Sequence, residues 1–172
     1  MEESMKTRRI VFSALIAALY AALTYFLAPI SYGPIQFRVS EIMVLLVLLD
    51  PFYIGGLTLG CFLANLLGPY GMTDIVVGTL ATFISLVLMS YTMKFIKKQS
   101  LATVIASLWP TIINGIMIGY MLYYVAQFPL FLTMFQVGLG EFVVVTLVGV
   151  PLFSYLKKSG ILKGITSNYK VS

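Results

Sequence analysis

The chain alternates long apolar runs with short polar breaks. The runs are too uniform to be the faces of soluble helices, and six stand out, at about 10–28, 39–49, 52–67, 74–93, 101–124 and 130–155. A helix needs roughly 20 apolar residues to cross a bilayer, and most of these runs approach that length. The breaks carry turn chemistry. Pro29, Gly33 and Pro34 follow the first run, Asp50-Pro51 parts the second from the third, and Gly68-Pro69-Tyr70-Gly71 precedes the fourth. Gln127-Phe128-Pro129 divides the fifth from the sixth. Proline lacks the amide donor and clashes with the preceding turn, so these positions end helices. The pattern predicts one all-α integral membrane domain over 1–172 with six transmembrane helices. The second is short for a full crossing, so it forms a tilted or broken pair with the third. No internal repeat is visible, which argues against an inverted-repeat carrier.

Composition agrees. Hydrophobic residues make up 60% of the 172 residues and charged residues 10%, against about 45–50% and 25% in soluble domains. The first run exceeds the apolar region of a secretory signal, and no cleavage site followed by a polar domain appears. The net charge of +5 raises nucleic acid as a partner, but its distribution argues against it. Lys6, Arg8 and Arg9 precede the first run, Lys94, Lys97 and Lys98 join the fourth and fifth, and Lys157, Lys158, Lys163 and Lys170 follow the last. With six spans all these clusters fall on one side, which the positive-inside rule makes cytoplasmic. Both termini are then inside, and the 29–38 loop is outside. Five or seven spans would put a lysine cluster outside. Cys61 is the single cysteine and histidine is absent. That excludes an internal disulfide, a cysteine metal cluster and Ser-His or Cys-His catalysis. No enzyme, metal or cofactor is expected in this chain.

What remains is a short set of polar groups on apolar segments. Glu141 is the only ionisable side chain between Gln99 and Leu156 apart from tyrosines, and a carboxylate in such company is a functional suspect by default. Asn114, mid-run on the fifth segment, either makes an interhelical hydrogen bond or faces Glu141 across a cavity. Tyr124, toward the outer end of that segment, is the aromatic best placed to stack on a ligand. Arg38 stands three residues before Glu41, so the two either pin the start of the second helix as a local ion pair or face a cavity under the 29–38 loop. Asp74 either caps the fourth helix with Thr73 or binds ligand, and Asn65 poses a similar choice. A carboxylate with an amide suits a ligand rich in N–H donors, such as an amidine-like or guanine-type edge, or a cationic amine. On the first helix Ala14, Ala18 and Ala22 recur at every fourth position, a stripe on which another helix can approach closely.

The stretch Ala28-Pro29-Ile30-Ser31-Tyr32-Gly33-Pro34-Ile35-Gln36-Phe37-Arg38-Val39-Ser40-Glu41, followed by Asn65-Leu66-Leu67-Gly68-Pro69-Tyr70-Gly71 and Asp74-Ile75-Val76-Val77-Gly78-Thr79-Leu80-Ala81-Thr82, resembles the QueT family. Gly140-Glu141 on the last helix fits the same pattern. These are S components, the substrate-binding subunits of energy-coupling factor (ECF) transporters, assigned to queuosine precursors such as the 7-deazaguanine preQ1. The resemblance implies a six-helix S-component fold in a bacterial cytoplasmic membrane, with ligand held near the outer face. It implies that the first loop and the last three helices bind the substrate, and the chemistry of the residues makes Glu141, Asn114, Arg38, Glu41, Asp74 and Tyr124 the candidate substrate-binding residues. It further implies that Ala14, Ala18 and Ala22 dock on a transmembrane coupling protein driven by two ATPases. The chain has no phosphate-cradling glycine-rich motif, so ATP is used by those partners. Three rival readings stand beside this one: an S component for another vitamin-like molecule, a solitary carrier using Glu141 as a proton site, and an assembly protein without a ligand.

Overall fold

Long uninterrupted apolar runs become long helices, because a backbone without water must satisfy its own amides and carbonyls. The computed structural model describes residues 2–33 and 35–165; Pro34 and Lys170, named above, lie outside them. Among the described residues the regular structure is all helical, with no strand. Helix α1 (Glu2–Phe26) is followed by the single turn α2 (Ala28–Ser31), a 3-10 helix (Val39–Leu48), α3 (Tyr53–Leu66), α4 (Gly71–Phe95) and α5 (Gln99–Ala126). The last rod runs through α6 (Leu130–Glu141), a π-helical stretch (Phe142–Gly149) and α7 (Val150–Lys158), and a 3-10 turn (Ile161–Gly164) closes the described chain.

Among the described residues four helices are long and apolar enough to cross a membrane: Lys6–Phe26, Gly71–Phe95, Gln99–Ala126 and Leu130–Lys158. The 3-10 helix and α3 are apolar but shorter. At about 2.0 Å per residue for 3-10 and 1.5 Å for α geometry, each is about 20 Å long, against a hydrocarbon core of about 30 Å. The chain is thus a multi-pass membrane protein, with four candidate full-length spans and two short apolar helices among the described residues.

Local chemistry sets the boundaries. Pro29 sits in the first turn of α2 and Pro129 caps the start of α6, while Gln127 ends α5 in a left-handed conformation. Pro151 lies in the first turn of α7. Its missing amide cannot serve the preceding turn, and the π stretch just before it absorbs the mismatch. The second apolar run winds as 3-10 rather than α. Three residues per turn put Glu41, Val44 and Val47 on one line, and all three are buried.

Glycines let helices touch backbone to backbone. A methyl group on Gly56 would meet the Ser13 carbonyl at 2.5 Å, and one on Gly60 would meet Tyr20 Cβ at 2.8 Å. Helix α1 is therefore seated on α3 with Tyr20 turned inward. On the other side, a methyl on Gly119 would lie 2.6 Å from Met134 Cα and one on Gly115 3.3 Å from Gly138 Cα. That seating brings α5 against α6 at the level of Asn114 and Glu141.

Candidate functional site

Buried polar residues gather where the C-terminal end of α1, the start of the 3-10 helix, the end of α3 and the start of α4 meet. Arg38, at 4% exposure, stands just outside the 3-10 helix with an extended backbone. Its Nη2 lies 3.6 Å from Asp74 Oδ2, an ion pair longer than a hydrogen bond, and its guanidinium lies over the Tyr32 ring, 5.4 Å from the centroid. The local Arg38–Glu41 pin is thereby corrected. An extended residue before the helix does not share a helical face with Glu41, and Glu41 instead accepts a hydrogen bond from Tyr20 Oη. One turn along α1, Thr24 Oγ1 and Ser40 Oγ are 2.6 Å apart.

The capping role expected of Asp74 is corrected too. Helix α4 starts at Gly71 with Tyr70 at its cap position and no side-chain cap bond. Asp74 is therefore inside the first turn, fully buried, and turned to Arg38. Asn65 Nδ2 donates to the Asp74 carbonyl at 3.1 Å.

Two tyrosines fasten the first loop to this cluster. Tyr32 Oη donates to the Ala64 carbonyl at 2.6 Å, and Tyr70 Oη donates to the Tyr32 carbonyl at 2.9 Å. Burial, with a smaller push from Asp74, raises both phenols above their ordinary pKa against the pull of Arg38, so both keep the protons they donate. Burial alone would lower the Arg38 pKa; Asp74, Cys61, Tyr20 and Glu41 outweigh it, the net direction is up, and the guanidinium stays charged.

The second half of the cluster comes from α5 and α6. Asn114 Nδ2 donates to Glu141 Oε1 at 3.0 Å, and each residue is 3% exposed. The chain at 35–36 lies against Gly140, the neighbour of Glu141: a methyl on Gly140 would run into the Ile35 carbonyl and come within 3.2 Å of the Gln36 carbonyl. Gln36 itself is buried and holds a positive φ of 51°, a conformation that costs a non-glycine residue roughly 1–2 kcal/mol. Glu141 lies within electrostatic reach of Glu41 and Arg38, which ties the two halves into one site.

The cluster is short of hydrogen bonds. Among the described residues, Gln36 Nε2, Arg38 Nε and Nη2, Asn65 Oδ1, both Asp74 carboxylate oxygens and Glu141 Oε2 have no hydrogen-bond partner. Each such buried group costs roughly 1–3 kcal/mol, so a concentration of donors and acceptors in this state is suited to a polar ligand rather than to stability.

Of the residues singled out in the sequence, Glu141, Asn114, Arg38, Glu41 and Asp74 come together here. Tyr124 does not: it is 70% exposed on the surface of α5. Ala14 and Ala18 are exposed and Ala22 is partly so, which leaves the stripe on the outer face of α1. Sequence reasoning missed Tyr20, Tyr32, Gln36 and Tyr70. Tyr20 and Thr24 had a legible signal, since they recur at i and i+4 on the α1 face opposite the alanines; the loop residues had none.

Comparison with known proteins identifies the family of the chain. A family model described as QueT transporter matches residues 10–158. The chain is 45% identical over 83 residues to a protein of Lactococcus lactis subsp. cremoris (strain MG1363) described as "Queuosine precursor transporter QueT". That match covers 47% of this chain and 48% of the relative, so it spans about half the length of each. No solved structure matches.

Proposed function

Because the chain belongs to the QueT transporter family, a family of transporters and not of enzymes, we propose that it is the substrate-binding subunit of an ATP-driven ECF importer. In this reading it captures a queuosine precursor, preQ1 or a related 7-deazaguanine, from outside a bacterial cytoplasmic membrane. The observation that carries the reading is the buried Asn114–Glu141 pair, with Glu141 Oε2 unpartnered among the described residues and the 29–38 loop lying across Gly140. A 7-deazaguanine presents N1–H and an exocyclic amine side by side, a donor pair that a carboxylate accepts in parallel. Asn114 then reads a neighbouring edge. Arg38 and Asp74 hold the loop against α4 at the rim.

The six-crossing topology with both termini inside belongs to the same proposal. The short 3-10 helix and α3 complete the six, and the polar cluster lies at the start of the first and the end of the second. The outer face of α1 supports a docking role for Ala14, Ala18 and Ala22. Only 22% of that span's apolar window is buried, against 39–44% in the other three.

Calorimetric titration of the detergent-purified chain with preQ1, queuine and guanine tests the ligand. We expect binding, and a Glu141→Gln variant weakened at least tenfold, about 1.4 kcal/mol. Absence of binding to all three would overturn the substrate assignment. Uptake into vesicles by this chain alone, without ATPases, would favour the solitary carrier instead.

A further inference from the structure

The charge balance of the site points to the class of ligand it prefers. Three carboxylates are buried together, Glu41, Asp74 and Glu141, none more than 3% exposed. One guanidinium, Arg38, is buried with them. The other ten of the eleven basic residues lie in the chain's end segments or in the connection at 94–98. Arg38 faces Asp74. Among the described residues that leaves Glu41 and Glu141 with neutral hydrogen-bond donors, Tyr20 Oη on the first and Asn114 Nδ2 on the second.

Two carboxylates in one dry cluster repel each other, and a buried carboxylate is stable only when its charge is met. The fold nevertheless holds both in place. Tyr20 is wedged against Gly60, and Asn114 stands beside the glycine contact between α5 and α6. Two buried polar atoms show that the cluster is more than a group of acids. Glu141 Oε2 and Gln36 Nε2, on residues 3% exposed, lack hydrogen-bond partners among the described residues, and the Gln36 backbone lies on Gly140, next to Glu141.

We infer that the ligand of this site carries a positive charge, and that Glu41, positioned by Tyr20, is the residue that selects for it. Resting on the ring assignment made above, this divides the work: Glu141 and Asn114 take the hydrogen-bonding edge, and Glu41 takes the charge. A cationic ligand brings the buried balance from three acids against one base to three against two. A neutral ligand with the same ring leaves it unmet. The competing account is that Glu41 and Glu141 share a proton, and it predicts no preference for charge.

Two 7-deazaguanines that differ only at the 7-substituent decide between these accounts. One bears an aminomethyl group, cationic at neutral pH, and the other an uncharged nitrile. Titrated into the purified full chain, the aminomethyl compound is expected to bind at least tenfold more tightly. Glu41→Gln should abolish that preference by weakening the aminomethyl compound far more than the nitrile, whereas Glu141→Gln should weaken both compounds at least tenfold. Tyr20→Phe keeps every charge and loosens Glu41, so it should narrow the preference; it carries the test if Glu41→Gln does not fold. Equal affinity of the native chain for the two compounds overturns the inference and leaves the ring assignment standing, as does a Glu41→Gln or Tyr20→Phe variant that weakens both alike. Binding of neither compound overturns both.

Discussion

Two ion pairs stand at opposite ends of α1, one with a part-exposed base and one fully buried, and they are built to different standards. At the N-terminal end Arg9 Nε lies 2.9 Å from Asp50 Oδ2, Asp50 Oδ1 accepts the Phe52 amide at 3.0 Å, and the Arg9 guanidinium rests 5.8 Å from the Phe52 ring centroid. There one acid meets one base at short range. Beside it Tyr53 Oη donates to the Ile165 carbonyl at 2.6 Å, tying the end of the described chain to the same corner. At the other end Arg38 stands 3.6 Å from Asp74 and shares its surroundings with two further carboxylates. The first arrangement is a short-range clasp that leaves one atom, Asp50 Oδ2, with an ion pair but no hydrogen bond. The second keeps donors and acceptors in reserve, a state that a protein selected only for stability would not maintain.

The comparison can be broken most sharply at Gly140. A Gly140→Ala methyl would overlap the Ile35 carbonyl, so the loop must lift from Glu141. Ligand affinity measured by calorimetry should fall more than about 100-fold, roughly 2.7 kcal/mol. Affinity retained within about threefold would show that the loop does not cover the site. Asp50→Asn attacks the other end. It removes the charge that Arg9 faces and should destabilise the fold by about 1–2 kcal/mol. The apparent melting midpoint should drop by roughly 2–8 °C, with ligand affinity unchanged within about twofold. A matching loss of affinity would mean that the two ends are not separable. The smallest effect is expected at the latch. Tyr70→Phe deletes the bond to the Tyr32 carbonyl, worth about 1 kcal/mol, and should speed ligand dissociation about fivefold in stopped-flow traces while lowering the melting midpoint by no more than about 2–4 °C.

Much of the functional end was visible in the sequence because its residues are conspicuous where they stand. Glu141 and Asn114 interrupt apolar runs, and both proved buried and bonded to each other across 27 positions. Arg38 and Asp74 were visible as residues but not as partners. Local rules paired Arg38 with Glu41 and made Asp74 a cap; an extended backbone at Arg38 and a helix beginning at Gly71 rearranged both. Tyr124 was misjudged for a related reason, since its depth along α5 was legible but its facing was not.

Hydropathy and charge are properties of short windows, so the sequence by itself determined the solvent, the apolar segments, the polar breaks between them and the inventory of isolated polar side chains. Partnership is a property of distance in space, and only the tertiary structure decided it. Gly60 and Gly119 let helix backbones close to contact, and that seating carried Tyr20 to Glu41 and Asn114 to Glu141. The 3-10 winding of 39–48 was likewise undetermined by an apolar pattern that suits an α-helix equally well. That winding turns Glu41 inward with Val44 and Val47, and so sets how many carboxylates the site contains.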